Sequence, residues 1–266
     1  MIVTRPRRVT RDPNDLTMET AVSRPRDLDP TATALVICDM WDRHWCEAAT
    51  RRVAEMAPRL NALAARLREQ GVLIVHAPSG TLDRYASHPA RQAAIAAPAI
   101  AGVEKLASWV HHDARYEAAL PVDDTDGGCP CSPRCREYTA WSRQIDEIEI
   151  HDSDIIADGP EVFNVYADRR IENVIVAGVH TNMCVLGRPF GIRQSVRRGL
   201  NVFLVRDLTD TMYNPARRPW VDHFTGTDLV IRHIETYWCP TITSDQILGD
   251  RPFRFSEDAR ASAYTR

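Results

Sequence analysis

The residues able to do chemistry converge on Asn173-Val-Ile-Val-Ala-Gly-Val-His-Thr-Asn-Met-Cys184-Val, an apolar β-branched run that passes through a tight polar turn to a cysteine. A helix is expected to open at that cysteine, where unpaired backbone N–H groups and the positive end of the helix dipole favour the thiolate, the nucleophilic form. Cys184 is therefore the candidate nucleophile, with a buried packing cysteine as the alternative. Asp39 closes the apolar run Ala34-Leu-Val-Ile-Cys. A carboxylate there is expensive to bury unless it is paired or used, and with a raised pKa it can take a thiol proton and return it to a leaving group. A loop ion pair or a helix cap is the other reading of Asp39. His76 ends the next apolar run. Trp41, His44 and Trp45 follow Asp39 and, with His76, are candidate substrate-binding residues, the aromatics suited to wall a pocket for a small planar molecule or simply to pack.

The elements that must position these residues alternate strand and helix. Residues 34–39, 72–76, 174–177 and 202–205 read as short buried strands. Residues 51–70 carry Val53, Met56, Leu60, Leu63 and Leu67 at helical spacing, closed by Gly71. A helix after Cys184 closes at Gly199, and a last helix over about 224–237 leads into Pro240-Thr-Ile-Thr243, read as an edge strand. Continuous apolar strands between amphipathic helices predict a three-layer, doubly wound α/β fold with a mainly parallel sheet. In such sheets ligands bind at the carboxyl ends of the strands, where Asp39, His76 and Cys184 all fall. Residues 111–144, rich in Asp, Pro, Gly and Cys, interrupt the rhythm as a long irregular insertion.

A chain of 266 residues without a linker or charge block reads as one domain, with a core over about 33–244. The net charge of −3 and the scattered arginines argue against nucleic acid as a partner, and no run is long enough to span a membrane. The first residues lack the apolar core of a signal peptide, so a cytoplasmic protein is expected. Of seven cysteines, three cluster in Cys129-Pro-Cys131-Ser-Pro-Arg-Cys135. Ordinary loop thiols, a disulfide, a metal site and a redox-sensing thiol pair are all open for them.

Asp39, the turn Gly178-Val-His-Thr-Asn-Met-Cys184-Val and the later Arg206-Asp207 together resemble the isochorismatase-like cysteine hydrolase superfamily, relatives of nicotinamidase, N-carbamoylsarcosine amidase and biuret hydrolase. The resemblance covers about residues 33–244. It implies a Rossmann-like strand order and an Asp–Lys–Cys catalytic set. It also implies a cis peptide at Val179–His180, and an oxyanion hole of backbone N–H groups around Val179, His180 and Cys184. The implied activity is C–N bond cleavage in a small amide, ureide or carbamoyl substrate through a thioester on Cys184, in a homodimer or homotetramer and without a cofactor. Retention of Cys184 argues against isochorismatase proper, whose vinyl-ether chemistry does not use a cysteine nucleophile.

The lysine is the departure. The family's spacing, counted thirty-three residues back from Cys184, lands on His151, and Lys105 is the only lysine in the chain. His151 is the first candidate to replace the lysine and Arg143 the second, although a guanidinium cannot shuttle protons. A pseudoenzyme that binds a small molecule or a protein without turnover is the alternative function. Nicotinamidases also hold a metal after the second strand. Here His76, Asp83 and His88 lack the tight Asp-x-His spacing, so no metal is expected there, and the acidic stretch Asp123-Asp-Thr-Asp126 reads as a turn.

Overall fold

A computed structural model describes residues 1–12 and 15–260. In chain order the elements are β1 (Ile2–Thr4), β2 (Arg7–Asp12), β3 (Asp15–Ser23), β4 (Arg26–Leu28), β5 (Thr33–Cys38), α1 (Glu47–Glu69), β6 (Leu73–Ala77) and α2 (Pro89–Ala96). There follow β7 (Ile155–Ile156), α3 (Val162–Arg169), β8 (Asn173–Val179), α4 (Cys184–Gly187), α5 (Ile192–Arg197), β9 (Asn201–Asp210), α6 (His223–Tyr237), β10 (Thr241–Ile242) and α7 (Asp245–Leu248).

Eight strands form one sheet in the order β3-β2-β10-β9-β8-β5-β6-β7. The six from β10 to β7 run parallel, and the β2/β3 hairpin adds antiparallel pairs beyond β10. The doubly wound α/β architecture is thus present, with one correction: β10 is not an edge strand, because Thr241 pairs with Arg7 of β2. The extra hairpin comes from residues that precede the repeating β-α pattern.

Strand alternation sorts the apolar residues into two layers. Leu35, Ile37, Ile74, Ile175, Ala177, Phe203 and Val205 face α1, whose Val53, Met56, Leu60, Leu63 and Leu67 form one stripe. Val36, Val75, Val174, Val176, Val202 and Leu204 face the opposite layer, among them Val162 and Phe163 of α3, Ile192 of α5, and Val230 and Ile234 of α6. Each fully buried Leu or Ile contributes roughly 1.5–3 kcal/mol. Gly71, at φ 94°, turns the chain from α1 into β6 as its place in the sequence requires.

Between the short helical turn at Val103–Lys105 and β7, residues 106–154 form no helix, and their one ladder contact is the isolated bridge between Trp41 and Gln144. This stretch is longer than the sequence suggested, and it is pinned at several points. The Val110 N–H donates to Gly187 O (2.6 Å), Ile145 N–H to Met40 O (2.8 Å), and Asp42 N–H to Arg143 O (2.9 Å). Glu117 is buried in the second helical layer, where Arg193 Nε (2.6 Å), His233 Nε2 (2.8 Å) and Trp238 Nε1 (2.8 Å) reach its carboxylate. Among the described residues no helix is long and apolar enough to cross a membrane.

Candidate active site

Two neighbouring parallel strands deliver the two central groups. β5 ends at Cys38, and Asp39 follows in the left-handed region at φ 47°, a conformation that Asp tolerates better than most residues. The chain turns there, with Asp39 N–H donating to Ala77 O (3.0 Å) and Trp41 N–H to Asp39 O (2.9 Å). The carboxyl group is thereby brought inside, fully buried, where its Oδ1 accepts from Ser79 N–H at 2.8 Å.

β8 pairs with β5 through Cys38↔Gly178 and then enters the turn. Gly178 sits at φ 107°, and a Cβ there would lie 2.1 Å from Cys38 O, so only glycine lets the strands come this close. The Val179–His180 peptide is cis. The polar residues that follow fasten the turn. Thr181 N–H donates to Asp210 O (2.8 Å), and the Thr181 hydroxyl meets that of Thr209 (2.7 Å), which in turn donates to Gly178 O (2.7 Å). Asn182 exchanges hydrogen bonds with the Met212 backbone (3.0 Å each way) and donates to Asp124 Oδ2 of the insertion (2.7 Å). Cys184 then opens α4 with its own N–H lacking an intrahelical acceptor, as at every helix start.

The helix after Cys184 is only one turn long. Arg188 leaves it in an extended conformation (φ −62°, ψ 156°), as a residue preceding proline must, and the chain becomes helical again at Ile192. With so short a helix the dipole is a minor influence on the thiol. The break at Arg188-Pro189 instead brings a formal cation to it. Arg188 Nε lies 3.4 Å from Asp39 Oδ2, and the guanidinium acts on the Cys184 sulfur as well. Trp109 of the insertion lies beneath the guanidinium at 5.7 Å, a cation–π contact.

Burial dominates the electrostatics of the group. It raises the Asp39 pKa, against which the Arg188 charge and the hydrogen-bonding contact with Cys184 act to lower it. Burial and the Asp39 charge push the Cys184 thiol far up, and Arg188 opposes both. Arg188 remains charged: partial desolvation disfavours the cation, but Asp39 together with the Cys184 and Cys38 sulfurs outweighs it. Burial thus favours the neutral forms of both Asp39 and Cys184, and the Arg188 charge favours their anionic forms.

An aromatic wall stands beside this group. Trp41, whose Nε1 donates to Ser79 O (3.1 Å), stacks on Trp141 of the insertion at 4.3 Å between ring centroids. His44 lies nearly parallel to Trp141 at 5.9 Å, tilts against Trp45 at 5.2 Å, and meets His180 edge-on at 4.9 Å. Burial lowers the His44 pKa to about 4, so its ring is neutral near pH 7. Burial likewise holds His180 neutral.

Of the residues singled out in the sequence, Asp39, Cys184, Val179 and His180 gather around the turn, and Trp41, His44 and Trp45 form the adjoining wall. Three expectations need correction. His151 precedes β7 instead of following its carboxyl end, and its ring is exposed on the surface 3.5 Å from Glu149. Arg143 is bound by Asp42 (3.2 Å) and Asp146 (2.7 Å), and Lys105 is exposed on its short helical turn. His76 is fully buried with both ring nitrogens occupied, by Gln144 Oε1 and Asp154 Oδ2 at 3.0 Å each, so it braces the insertion and does not face a substrate. Arg188, Trp109 and Trp141 were missed. Proline one residue after an arginine in the first turn past Cys184 was the available signal for Arg188.

Neither of the weighed hard-metal positions offers converging free ligands. His88 Nδ1 accepts from Ala90 N–H at the start of α2. Asp123, Asp124 and Asp126 accept hydrogen bonds from Thr125, Asn182, Gly128 and Asn214. A large cavity of about 730 Å³ lies away from the Cys184 turn, between the β2/β3 hairpin and the amino end of β9.

Neither a protein-family model nor a curated protein matches the sequence. Among solved structures, a cysteine hydrolase from Pseudomonas syringae pv. phaseolicola 1448A is similar at TM-score 0.50 and 15% identity, over 84% of this chain and 95% of that one. An isochorismatase from Pseudomonas putida KT2440 aligns at TM-score 0.49 and 10% identity over 82% and 91% of the two chains. An N-carbamoylsarcosine amidase from Thermoplasma acidophilum aligns at TM-score 0.44 and 14% identity over 80% and 97%. At these identities the first likeness speaks for architecture alone, and with the observed sheet order it is sufficient for that: the chain has the isochorismatase-like α/β fold.

Proposed function

We propose that the protein is a cysteine hydrolase that cleaves a C–N bond in a small planar amide, ureide or carbamoyl compound, with Arg188 standing in for the lysine of the resembling family. The observation that carries this reading is the contact of half-buried Arg188 with fully buried Asp39 at 3.4 Å beside the Cys184 thiol.

The residues divide the work by what each can do. Cys184 Sγ attacks the carbonyl carbon as its proton passes to the Asp39 carboxylate, and the new C–S bond leaves a tetrahedral oxyanion. The Cys184 backbone N–H, free of helical pairing, donates to that oxyanion. Asp39 then gives its proton to the leaving nitrogen, the C–N bond breaks, and an amine or ammonia departs from the thioester. Water next attacks the thioester with its proton going to Asp39. The C–S bond breaks, and the thiolate recovers the proton from Asp39. Arg188 keeps its own protons throughout. Its part is to stabilise negative charge as it moves between Asp39 and the sulfur. A carboxyl group whose pKa is raised by burial is suited to both halves of this cycle.

Release of ammonia or amine from a panel of small amides and ureides tests the reading. Wild type should turn over a member of the panel. Cys184→Ala and Asp39→Asn should each lose about 10⁴-fold or more, as removal of groups that act as a unit does. Arg188→Ala should lose about 10²-fold or more, and His151→Ala should match wild type. Turnover that survives Cys184→Ala would sink the proposal.

A further inference from the structure

The insertion assembles thiols that this reaction does not use. Cys46, the residue that opens α1, meets Cys129 and Cys131 of the insertion, and the three sulfurs lie within 4.8 Å of one another. Cys46 Sγ and Cys131 Sγ are 3.9 Å apart. Cys46 and Cys129 are buried, Cys131 is half-buried, and all seven cysteines of the chain are free thiols. Cys135, also half-buried, packs against the same cluster.

The spacing is that of ligands around a tetrahedral ion. Zinc–sulfur bonds of about 2.3 Å at tetrahedral angles separate neighbouring sulfurs by about 3.8 Å. A disulfide would require about 2.0 Å. Ala48, Ala49, Met212, Trp45 and Met183 pack around the cluster, and the donors that converge are soft sulfur atoms, which suit zinc over calcium or magnesium. Cys46 makes no side-chain cap to α1, a helix of 23 residues, which leaves its sulfur at the positive end of a long dipole. The chain is also shaped to deliver Cys129. Gly128, at φ 70°, passes so close to β9's exit that a Cβ would lie 2.3 Å from Met212 O.

We infer that Cys46, Cys129 and Cys131, with Cys135 as the fourth ligand, bind one zinc ion that fastens the insertion to α1 beside the Cys184 turn. Binding forms four Zn–S bonds and releases the thiol protons to solvent, with no change of oxidation state. Met183, which precedes Cys184, packs on this cluster, as does Trp45 of the aromatic wall. The ion would therefore hold the insertion in register with the site and take no part in the C–N cleavage.

The test is the metal content of reduced protein purified without chelator, followed by cobalt(II) titration of the metal-free protein. One zinc per chain is expected. Cobalt(II) should give a thiolate charge-transfer band and strong tetrahedral d–d bands that saturate at one equivalent. Cys184→Ser should keep both signals. Cys135→Ser, at a half-exposed position, should fold, lose charge-transfer intensity and bind zinc at least tenfold more weakly; unchanged intensity would remove Cys135 from the site. Wild type with no bound metal and no cobalt charge-transfer band would overturn the inference. So would two thiols found missing before reduction, since they would mark an oxidised pair instead.

Discussion

The Cys184 turn and the insertion both face the candidate site, yet they are held by different forces. The turn grows from β8, whose neighbours β5 and β9 fix it through backbone ladders, and Thr181 and Asn182 lock it to the end of β9. The insertion has almost no ladder. Its position depends on isolated backbone bonds, such as Val110 to Gly187 and Ile145 to Met40, and on side chains at a few points, such as Glu117 with Arg193, His233 and Trp238, and Gln144 with His76. The reacting groups, which need sub-ångström placement, lie on the rigid part, while the rings that would contact a substrate come partly from the part free to vary. Arg188 belongs to neither scheme alone. A proline break in the core releases it, and Trp109 of the insertion backs it.

This contrast can be broken at the insertion's anchor. Burial raises the Glu117 pKa, but hydrogen bonds from His233, Arg193 and Trp238 outweigh it and hold the carboxyl at about 2. Because the folded value is depressed, the ionised carboxylate stabilises the fold above the unfolded value of about 4.5, and that contribution is lost as pH falls toward 2. A shift of this size corresponds to about 3 kcal/mol. Glu117→Gln should lower the unfolding free energy by about that much at pH 7, and denaturant titrations of the two proteins should converge near pH 2. A constant gap at all pH values would show that Glu117 acts through packing instead of charge.

A smaller effect sharpens the division of labour at the aromatic wall. Trp141→Ala removes a stacked ring worth about 1 kcal/mol beyond its burial. It should raise KM about fivefold or more for a turned-over substrate with kcat within about twofold. An equal fall in kcat would mean that the insertion positions the reacting groups as well as the substrate.

The two regions also differed in how far their sequence could be read. Short apolar runs, the stripe on α1 and Gly71 dictated the parallel core, and the placement of Asp39 and Cys184 followed from strand ends. β10 is internal because β2 pairs with it, and the sequence hid this because the β2/β3 hairpin has no helix to mark it as part of the repeat. The insertion has no period to read, so the stacking of Trp141 on Trp41 and the meeting of Cys46 with Cys129 and Cys131 depend on contacts across about a hundred residues or fewer of chain. The cation was hidden in the sequence for a more specific reason. Counting back from Cys184 presumes the family's own loop lengths, whereas the cation beside Asp39 lies four residues after the cysteine.

The most direct measurement is the rate of Cys184 alkylation by iodoacetamide as a function of pH, in wild type, Arg188→Ala and His151→Ala, with Cys184→Ser to identify the modified thiol. Arg188 lowers the thiol pKa against burial and the Asp39 charge. Its removal should move the profile upward by a pH unit or more, about tenfold or more in rate at a fixed pH on the acid side, since the thiolate is the reacting form. The His151→Ala profile should overlay wild type. An unchanged profile in Arg188→Ala, or an upward shift in His151→Ala, would contradict the account.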